Sequence, residues 1–230
     1  MSPDSGRLYL PPSRPGVLAR VLRRAWPSAY CALRAARLAW RAESPLVQAG
    51  VVASWRTGRP CRADGSPAPW ICTAMTGLLD GRLRRDLRVF EYGCGGSTAY
   101  FAARCAMVHS VEHDSAWAAA VTATLPGNAT VLLRKDPATY AAAIDEDGGV
   151  WDLILVDGRH RLACCRAALP RLAPAGVLLL DDTDRDCYGE ADTLFAGAGF
   201  RRLALKGLKP LHDAASQTTL YYRDGNCLGV

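Results

Sequence analysis

The chain has 230 residues, of which half are hydrophobic and 22% are charged, the balance of a globular domain with an extension. Its formal net charge of +6 is concentrated in residues 1–60, which hold ten arginines and two acidic residues. No apolar run approaches the roughly 18–20 residues that cross a bilayer, so composition excludes a membrane-spanning protein. The start of the chain lacks the apolar core of a signal peptide, and the nine cysteines include no C-x-x-C pair. We therefore expect a cytoplasmic protein with reduced thiols and no zinc site.

Residues 1–64 are predicted to form a basic helical extension and linker. Apolar residues recur at helical spacing from Leu18 to Leu33, with Pro27 between them, which predicts one or two amphipathic helices with outward arginines. The stretch RPCRADGSPAPWI, residues 59–71, is rich in loop-forming residues. Two interpretations remain open: a cover packed on the main domain, which we favour, or a peripheral surface for an anionic membrane.

Residues 65–230 are predicted to form the main domain, in which helices and strands alternate. Alternation of this kind builds a mostly parallel sheet with helices on both faces. The last two strands have no helix between them, which predicts an antiparallel edge pair at the C-terminal end of a seven-stranded sheet. The predicted strands are LRVFEYG, MVHSVEHD, ATVLLRKD, WDLILVDG, AGVLLLDD, GFRRLALKGL and QTTLYYRD.

The stretch FEYGCGGSTAYFA, residues 90–102, is predicted to be a strand end, a glycine turn and a helix start. Ligands of parallel sheets bind beside the carboxyl ends of the strands, and a bare backbone lets them approach closely. Glu91, two residues before the first glycine, favours a cationic ligand over a pyrophosphate. Glu112 ends the second strand, where an acid can accept ribose hydroxyls. Asp136 ends the third strand, where it can receive an exocyclic amine such as that of adenine.

These features resemble the class I S-adenosylmethionine-dependent methyltransferases over about residues 65–225, and the resemblance implies a Rossmann-like fold. Glu91, Gly93 and Gly95 match the family's first motif, E/D-x-G-x-G-x-G, and Ser97 replaces its third glycine. The resemblance implies S-adenosylmethionine as the cofactor, with the glycines at its methionine and ribose. The implied cofactor site comprises Glu91, Gly93, Gly95, Gly96, Ser97, Glu112, His113, Asp136 and Asp157.

Three aspartates follow the fourth and fifth predicted strands, within VDGRHR and LLLDDTDR. Asp157, Asp181 and Asp182 are therefore expected to converge at one edge of the sheet. Three carboxylates repel one another unless a positive group lies among them, and Mg²⁺ with oxygen ligands would suit. The arrangement resembles the metal-dependent O-methyltransferases of the catechol and macrolide-sugar types. This predicts a possible Mg²⁺ site at the three aspartates.

The same two loops supply a candidate base and three arginines. His160 lies three residues after Asp157, where catechol-type enzymes place a lysine base, and histidine titrates near neutrality. His160 and Asp157 are therefore the candidate catalytic residues. The three arginines are Arg159, Arg161 and Arg185. They could bind an anionic group of the acceptor, or they could neutralise the aspartates in place of a metal. Metal dependence is therefore left open.

The predicted function is S-adenosylmethionine-dependent methylation of a small molecule or glycan, at a hydroxyl of a sugar, glycan or natural product. No nucleic-acid partner is expected, since no N/D-P-P-Y/F motif follows the fourth strand. One alternative is an NAD-dependent oxidoreductase or epimerase, whose motif would require a glycine where Thr98 stands. Another is a non-catalytic ligand-binding or membrane-adaptor domain.

Overall fold

The computed structural model describes residues 16–146 and 148–230, and the chain divides into two compact units between Val47 and Gln48. The first unit contains α1 (Val17–Ala25) and α2 (Pro27–Trp40). Pro27 is the first residue of α2, where a missing N–H leaves no helical hydrogen bond unmade, so the predicted break is confirmed. No residue of either helix is buried.

The second unit begins earlier than the predicted boundary between residues 64 and 65. After α3 (Pro45–Gln48), α4 (Val51–Thr57) buries Val51 and Val52. The hydroxyl of Ser54 donates to Cys61 O at 3.1 Å and accepts from Cys61 N at 3.0 Å. These bonds attach the segment that was expected to be a linker to a buried helix.

The rest of the second unit alternates between helices and strands in the predicted order. Short 3₁₀ turns follow α8 and α9 and precede α10. The elements are α5 (Thr73–Asp80), β1 (Arg88–Tyr92), α6 (Gly96–Ala102), β2 (Met107–Glu112), α7 (Ser115–Thr122), β3 (Ala129–Leu133), α8 (Pro137–Ala142), β4 (Trp151–Val156), α9 (Arg161–Ala168), β5 (Leu172–Leu180), α10 (Gly189–Gly197), β6 (Arg201–Leu208) and β7 (Ala215–Tyr222).

The strands form one seven-stranded sheet in the order β3-β2-β1-β4-β5-β7-β6. Strands β1 to β5 are parallel, and β7 is antiparallel to both β5 and β6. This confirms the predicted Rossmann-like α/β fold with its antiparallel C-terminal pair. From β1 the chain continues on one side to β2 and returns on the other side to β4, so a crevice opens where β1 and β4 end.

Two apolar clusters cover the faces of this sheet, because successive side chains of a strand point to opposite faces. One includes Phe90 and Ile154, and the other includes Val89 and Leu155. All four of these side chains are at most 1% exposed. The two-sided core explains why the central strands are almost continuously apolar.

Helix α10 was not predicted from the sequence. Its nine residues, GEADTLFAG, have glycine at both ends and few apolar side chains, so its periodicity is weak. Packing compensates, since Ala191 and Phe195 are buried and the Phe195 ring stacks on Tyr221 with centroids 4.3 Å apart. Among all the described helices, none has the length and apolarity to cross a bilayer.

Candidate active site

The glycine turn, residues 93–96, connects β1 to α6 at the crevice. Gly93 has φ +97°, which disfavours any residue with a side chain. A Cβ on Gly93 would lie 3.2 Å from Gly158 Cα, so the turns after β1 and β4 touch. A Cβ on Gly96 would lie 2.6 Å from Ala68 O. The glycines therefore permit close backbone packing, and their contact with a ligand stays a prediction.

Glu91 lies at zero exposure beneath the glycine turn. Its Oε2 accepts from Ser110 Oγ at 2.8 Å, and its Oε1 has no partner among the described residues. Burial raises the pKa of Glu91 to about 7, against the hydroxyls of Ser97, Thr98 and Ser110, which lower it. Glu91 thus has no open surface in this structure, and its direct contact with a ligand stays a prediction.

Thr98 stabilises the turn from the first helical residues. Its buried Oγ1 accepts from Gly95 N at 3.0 Å and lies 3.3 Å from Ser110 Oγ. This is the position where a dinucleotide-binding motif has glycine, so the hydroxyl has a structural role of its own. Ser97, beside it, is half-buried at the start of α6.

Glu112 ends β2 and joins it to the glycine turn. Its carboxylate accepts from the backbone N–H of His113 at 2.7 Å and of Cys94 at 3.3 Å. His113 Nδ1 lies 2.6 Å from Oε1 of the same carboxylate. The predicted residues Glu112 and His113 thus lie together at the turn. Trp117, which the sequence analysis missed, donates its Nε1–H to Cys94 O at 2.7 Å and places an exposed ring beside Gly95.

Asp136 is the N-cap of α8. Its side chain accepts from the backbone N–H of Ala138 at 3.0 Å and of Thr139 at 3.1 Å. Both bonds are to Oδ1, and the residue is exposed. The cap is shown, and the contact with adenine stays a prediction.

Tyr140 of α8 lies between the glycine turn and the turn after β4. It is 1% exposed, and its hydroxyl has no hydrogen-bond partner within the described ranges. Its ring centroid lies 6.5 Å from that of His113 and 6.4 Å from that of His160. Tyr140 was not among the predicted site residues, because it lies several residues after the end of β3 and belongs to no recognisable sequence motif.

The acidic mouth, Asp157, Asp181 and Asp182, forms at the ends of β4 and β5 as predicted. One oxygen from each carboxylate lies within 4.8 Å of the others. Asp181 is fully buried, Asp182 is 7% exposed, and Asp157 is half-buried. The three aspartates therefore converge, as their positions after two neighbouring strands predicted.

Cations of the protein itself pair with these carboxylates. Arg161 contacts Asp157 Oδ1 at 2.8 Å and Asp182 Oδ2 at 3.3 Å. Arg185 Nη2 lies 2.8 Å from Asp182 Oδ2. The buried Lys209, which the sequence analysis missed, has its Nζ 2.5 Å from Asp181 Oδ2 and 2.8 Å from Asp182 Oδ1. Of the two hypotheses for the three aspartates, the structure shows ion pairs with arginine, and a Mg²⁺ site is not supported.

Hydroxyl groups at the start of β7 complete the hydrogen bonding. Thr218 Oγ1 donates to Asp181 Oδ1 at 2.6 Å, and Ser216 Oγ donates to Asp182 Oδ1 at 3.1 Å. Three of the four oxygens of Asp181 and Asp182 therefore accept hydrogen bonds, and the fourth, Asp182 Oδ2, is in ion pairs with two arginines. Burial and the charge of Asp181 raise the pKa of Asp157. The pKa of Asp182 is lowered to about 2, because the effect of Lys209 and the arginines is larger than that of burial.

His160, the candidate base, lies at the rim of the mouth. It is exposed, has φ +52° and precedes the first turn of α9. Within the described residues its side chain has no hydrogen-bond partner, so neither Asp157 nor another acid orients it. Its role as a base stays a prediction. Arg159 is exposed at the same rim and pairs with none of the three aspartates.

Residues 90–183 match a protein-family model described as a methyltransferase domain. This range contains the glycine turn, Glu112, Asp136, Tyr140 and the three aspartates of the mouth. The comparison with curated proteins finds no match. The match disfavours the oxidoreductase or epimerase alternative.

Solved structures share the fold at low sequence identity. The O-methyltransferase TomG of Streptomyces achromogenes, solved with S-adenosylmethionine, has a TM-score of 0.54 at 16% identity, over 78% of this chain and 90% of TomG. A precorrin 8w decarboxylase of Methanobacterium thermoautotrophicum has a TM-score of 0.52 at 16% identity, over 65% of this chain and 87% of its own. The N-methyltransferase NodS of Bradyrhizobium japonicum has a TM-score of 0.50 at 13% identity, over 66% and 93%.

Proposed function

We propose that this chain, a class I S-adenosylmethionine-dependent methyltransferase, methylates a hydroxyl of a sugar, glycan or natural product. The observation that supports it is the contact between the glycine turn and the turn of Gly158, which sets the cofactor edge beside the acidic mouth. A cofactor at the first would have its methyl group near an acceptor at the second.

The residues around the glycine turn fit S-adenosylmethionine. Gly95 and Gly96 have no side chains. Glu112, whose carboxylate already accepts hydrogen bonds from backbone N–H groups, is 5% exposed. Glu112 is proposed to accept the ribose hydroxyls, and His113 and Asp136 to lie near the adenine. Glu91 is proposed to act as a positioning residue, because it lies under the turn. The cofactor supplies an electrophilic methyl group on a sulfonium.

The acceptor is proposed to bind at the rim of the acidic mouth. A hydroxyl is a poor nucleophile until its proton leaves, so the site needs a base. His160 is exposed there and is free of hydrogen bonds to described residues, so it can accept a proton from an acceptor. Arg159, exposed beside it, suits an acceptor that carries a carboxylate or phosphate.

Calorimetry with S-adenosylmethionine, S-adenosylhomocysteine and NAD tests the cofactor site. We expect micromolar binding of the first two and none of NAD. Glu112→Ala should weaken the binding of S-adenosylmethionine by roughly 1–3 kcal/mol, the free energy typical of lost charge-assisted hydrogen bonds. Glu190→Ala is the control, because Glu190 is an exposed acid on α10. Binding of NAD without a response to S-adenosylmethionine would contradict the proposal.

Turnover of a panel of sugars and hydroxylated natural products tests the acceptor and the base. We expect His160→Ala to lower turnover, because the variant lacks the imidazole that is proposed to take the proton of the acceptor hydroxyl. The affinity for S-adenosylmethionine should stay unchanged in this variant. Full turnover by His160→Ala would remove the histidine from the mechanism, and methylation of amines alone would contradict the hydroxyl acceptor.

A further inference from the structure

We infer that Lys209 is the resident cation of the acidic mouth and occupies the place of a divalent metal, so that the three aspartates do not form a metal site. The inference concerns binding of metal and does not depend on the proposed acceptor. Its first support is the charge balance. The mouth has three carboxyl groups, and three cationic side chains contact them: Lys209, Arg161 and Arg185.

The ammonium group of Lys209 lies where a metal ion would have to be. It bridges Asp181 and Asp182 at 2.5 Å and 2.8 Å, and the whole residue is 8% exposed. A divalent ion bound to the same two carboxylates would be only a few ångströms from this ammonium. Repulsion between like charges is strong at such distances where water is excluded. The ion could bind only if the lysine left.

The carboxylate oxygens also lack free capacity for a metal. Mg²⁺ requires near-octahedral oxygen ligands at about 2.0–2.1 Å. Both oxygens of Asp181 and Oδ1 of Asp182 accept hydrogen bonds from Lys209, Thr218 or Ser216, and Oδ2 of Asp182 is in ion pairs with Arg161 and Arg185. Asp157 Oδ2 is the one oxygen of the mouth that has neither kind of contact among those given for the described residues. A single carboxylate oxygen does not make a metal site.

The fold holds Lys209 in this position. Lys209 directly follows β6, and its carbonyl accepts from His212 N at 3.1 Å. Trp70 Nε1 donates to Pro210 O at 2.5 Å, and the Trp70 ring lies 5.8 Å from that of His212. The turn after β6 is therefore tied both to itself and to the segment before α5. A lysine on such a turn is positioned before any ligand arrives.

The ammonium is also retained as a charged group. Burial acts to lower the pKa of Lys209, but the charges of Asp181 and Asp157 and the hydrogen bonds to Asp181 and Asp182 outweigh burial and raise it. The lysine therefore stays protonated across the neutral range. It provides a permanent positive charge, whereas a metal ion would depend on its concentration.

The test is Mn²⁺ binding to the full-length chain, measured by the loss of the free Mn²⁺ signal in electron paramagnetic resonance. Five proteins are compared: wild type, Asp181→Asn, Lys209→Met, Lys206→Met and the double variant Lys209→Met/Asp181→Asn. Lys206 is an exposed lysine of β6 and serves as the matched control. Circular dichroism verifies that each variant is folded.

We expect wild type and Lys206→Met to show no Mn²⁺ binding at concentrations up to about 1 mM, which sets a lower limit of about 1 mM on their dissociation constants. Lys209→Met should gain one site that binds at least about tenfold more tightly than this limit, and the double variant should lose it. Saturable binding to wild type that Asp181→Asn abolishes would overturn the inference, and this holds even if Lys209→Met fails to fold. A folded Lys209→Met without a gained site would also contradict the inference, because the lysine would not be what excludes the metal.

Discussion

The glycine turn and the acidic mouth both place buried carboxylates at strand ends, but they stabilise them differently. Glu91 is surrounded by hydroxyl groups and no cationic side chain contacts it among the described residues, so burial raises its pKa to about 7. In the mouth, lysine and arginine contact the aspartates, and the pKa of Asp182 falls to about 2. The carboxyl group beneath the glycine turn therefore has no cationic partner among the described residues, whereas the mouth contains its own cations.

The largest effect is expected from breaking the charge balance of the mouth with Arg161→Met. Its side chain is 8% exposed and contacts two aspartates, so its loss leaves buried negative charge uncompensated. The free energy of unfolding should fall by about 3–5 kcal/mol in urea denaturation. Arg166→Met on the same helix is the control, since Arg166 is 53% exposed and pairs with the exposed Glu190. It should cost less than about 1 kcal/mol. Equal losses would show that the mouth is not a buried ion network.

Glu91→Gln should give a pH-dependent gain in stability. The ordinary pKa of Glu is 4.5 and the buried value is about 7, so folding favours the protonated form. The stability from this group is complete below about pH 4.5 and is lost as pH rises through about 7. Glutamine keeps the shape without the charge, and the variant should be up to roughly 3 kcal/mol more stable than wild type at pH 8.

Urea denaturation at pH 5 and pH 8 measures this difference, which should nearly vanish at the lower pH. Glu190→Gln provides the control, because an exposed glutamate should show no such pH dependence. Wild type that is as stable as Glu91→Gln at pH 8 would contradict the account of Glu91 as a carboxylate left without a cation.

Gly158→Ala tests the contact that joins the two regions. A Cβ there would lie 2.9 Å from Tyr92 O and 3.0 Å from Gly93 N, both backbone atoms that cannot rotate away. Overpacking of this kind costs about 1–3 kcal/mol. The variant should also bind S-adenosylmethionine more weakly, because the glycine turn must shift. Gly77→Ala is the control, since a Cβ on Gly77 meets nothing within 4 Å. Unchanged calorimetry in Gly158→Ala would show that the turns are independent.

Asp136 allows a smaller test at the cofactor edge. Asp136→Ala removes the N-cap of α8 and should lower the free energy of unfolding by about 1 kcal/mol, while Asp136→Ser should keep most of the cap. If Asp136 also receives the adenine amine, both variants should bind S-adenosylmethionine more weakly. Normal affinity in Asp136→Ser would limit Asp136 to the cap.

The basic N-terminal unit contributes no residue to either region, and its removal gives the smallest expected change. If residues 1–47 cover the domain, their deletion should lower the melting temperature by about 3 °C, the scale of 1 kcal/mol for a chain of this size. The alternative is contact with an anionic membrane. It would be supported by an unchanged melting temperature together with lost sedimentation on vesicles that contain anionic lipid. Thermal unfolding and vesicle sedimentation of the same deletion separate the two.

The sequence by itself determined the succession of strands along the chain and the carboxylates at their ends. Glu91 and Glu112 are among the last residues of β1 and β2, and Asp157 directly follows β4. Local patterns were enough because each residue lies in its strand or next to it, and parallel strands bring their carboxyl ends to one edge. Thr98 and Tyr140 could not be found this way, since their roles depend on neighbours from other elements.

Only the tertiary structure decided what neutralises the acidic mouth. Lys209 lies far along the chain from Asp181 and Asp182, at the end of a strand that the sequence predicts merely as part of an antiparallel pair. Because β7 is inserted between β5 and β6 and is antiparallel to both, β6 runs in the same direction as β5. The turn after β6 therefore reaches the same edge as the turn after β5, and it delivers the ammonium group to the two buried carboxylates. The spacing of residues in the sequence does not predict the contact of Lys209 with Asp181 and Asp182, because the order of strands in the sheet differs from their order in the chain.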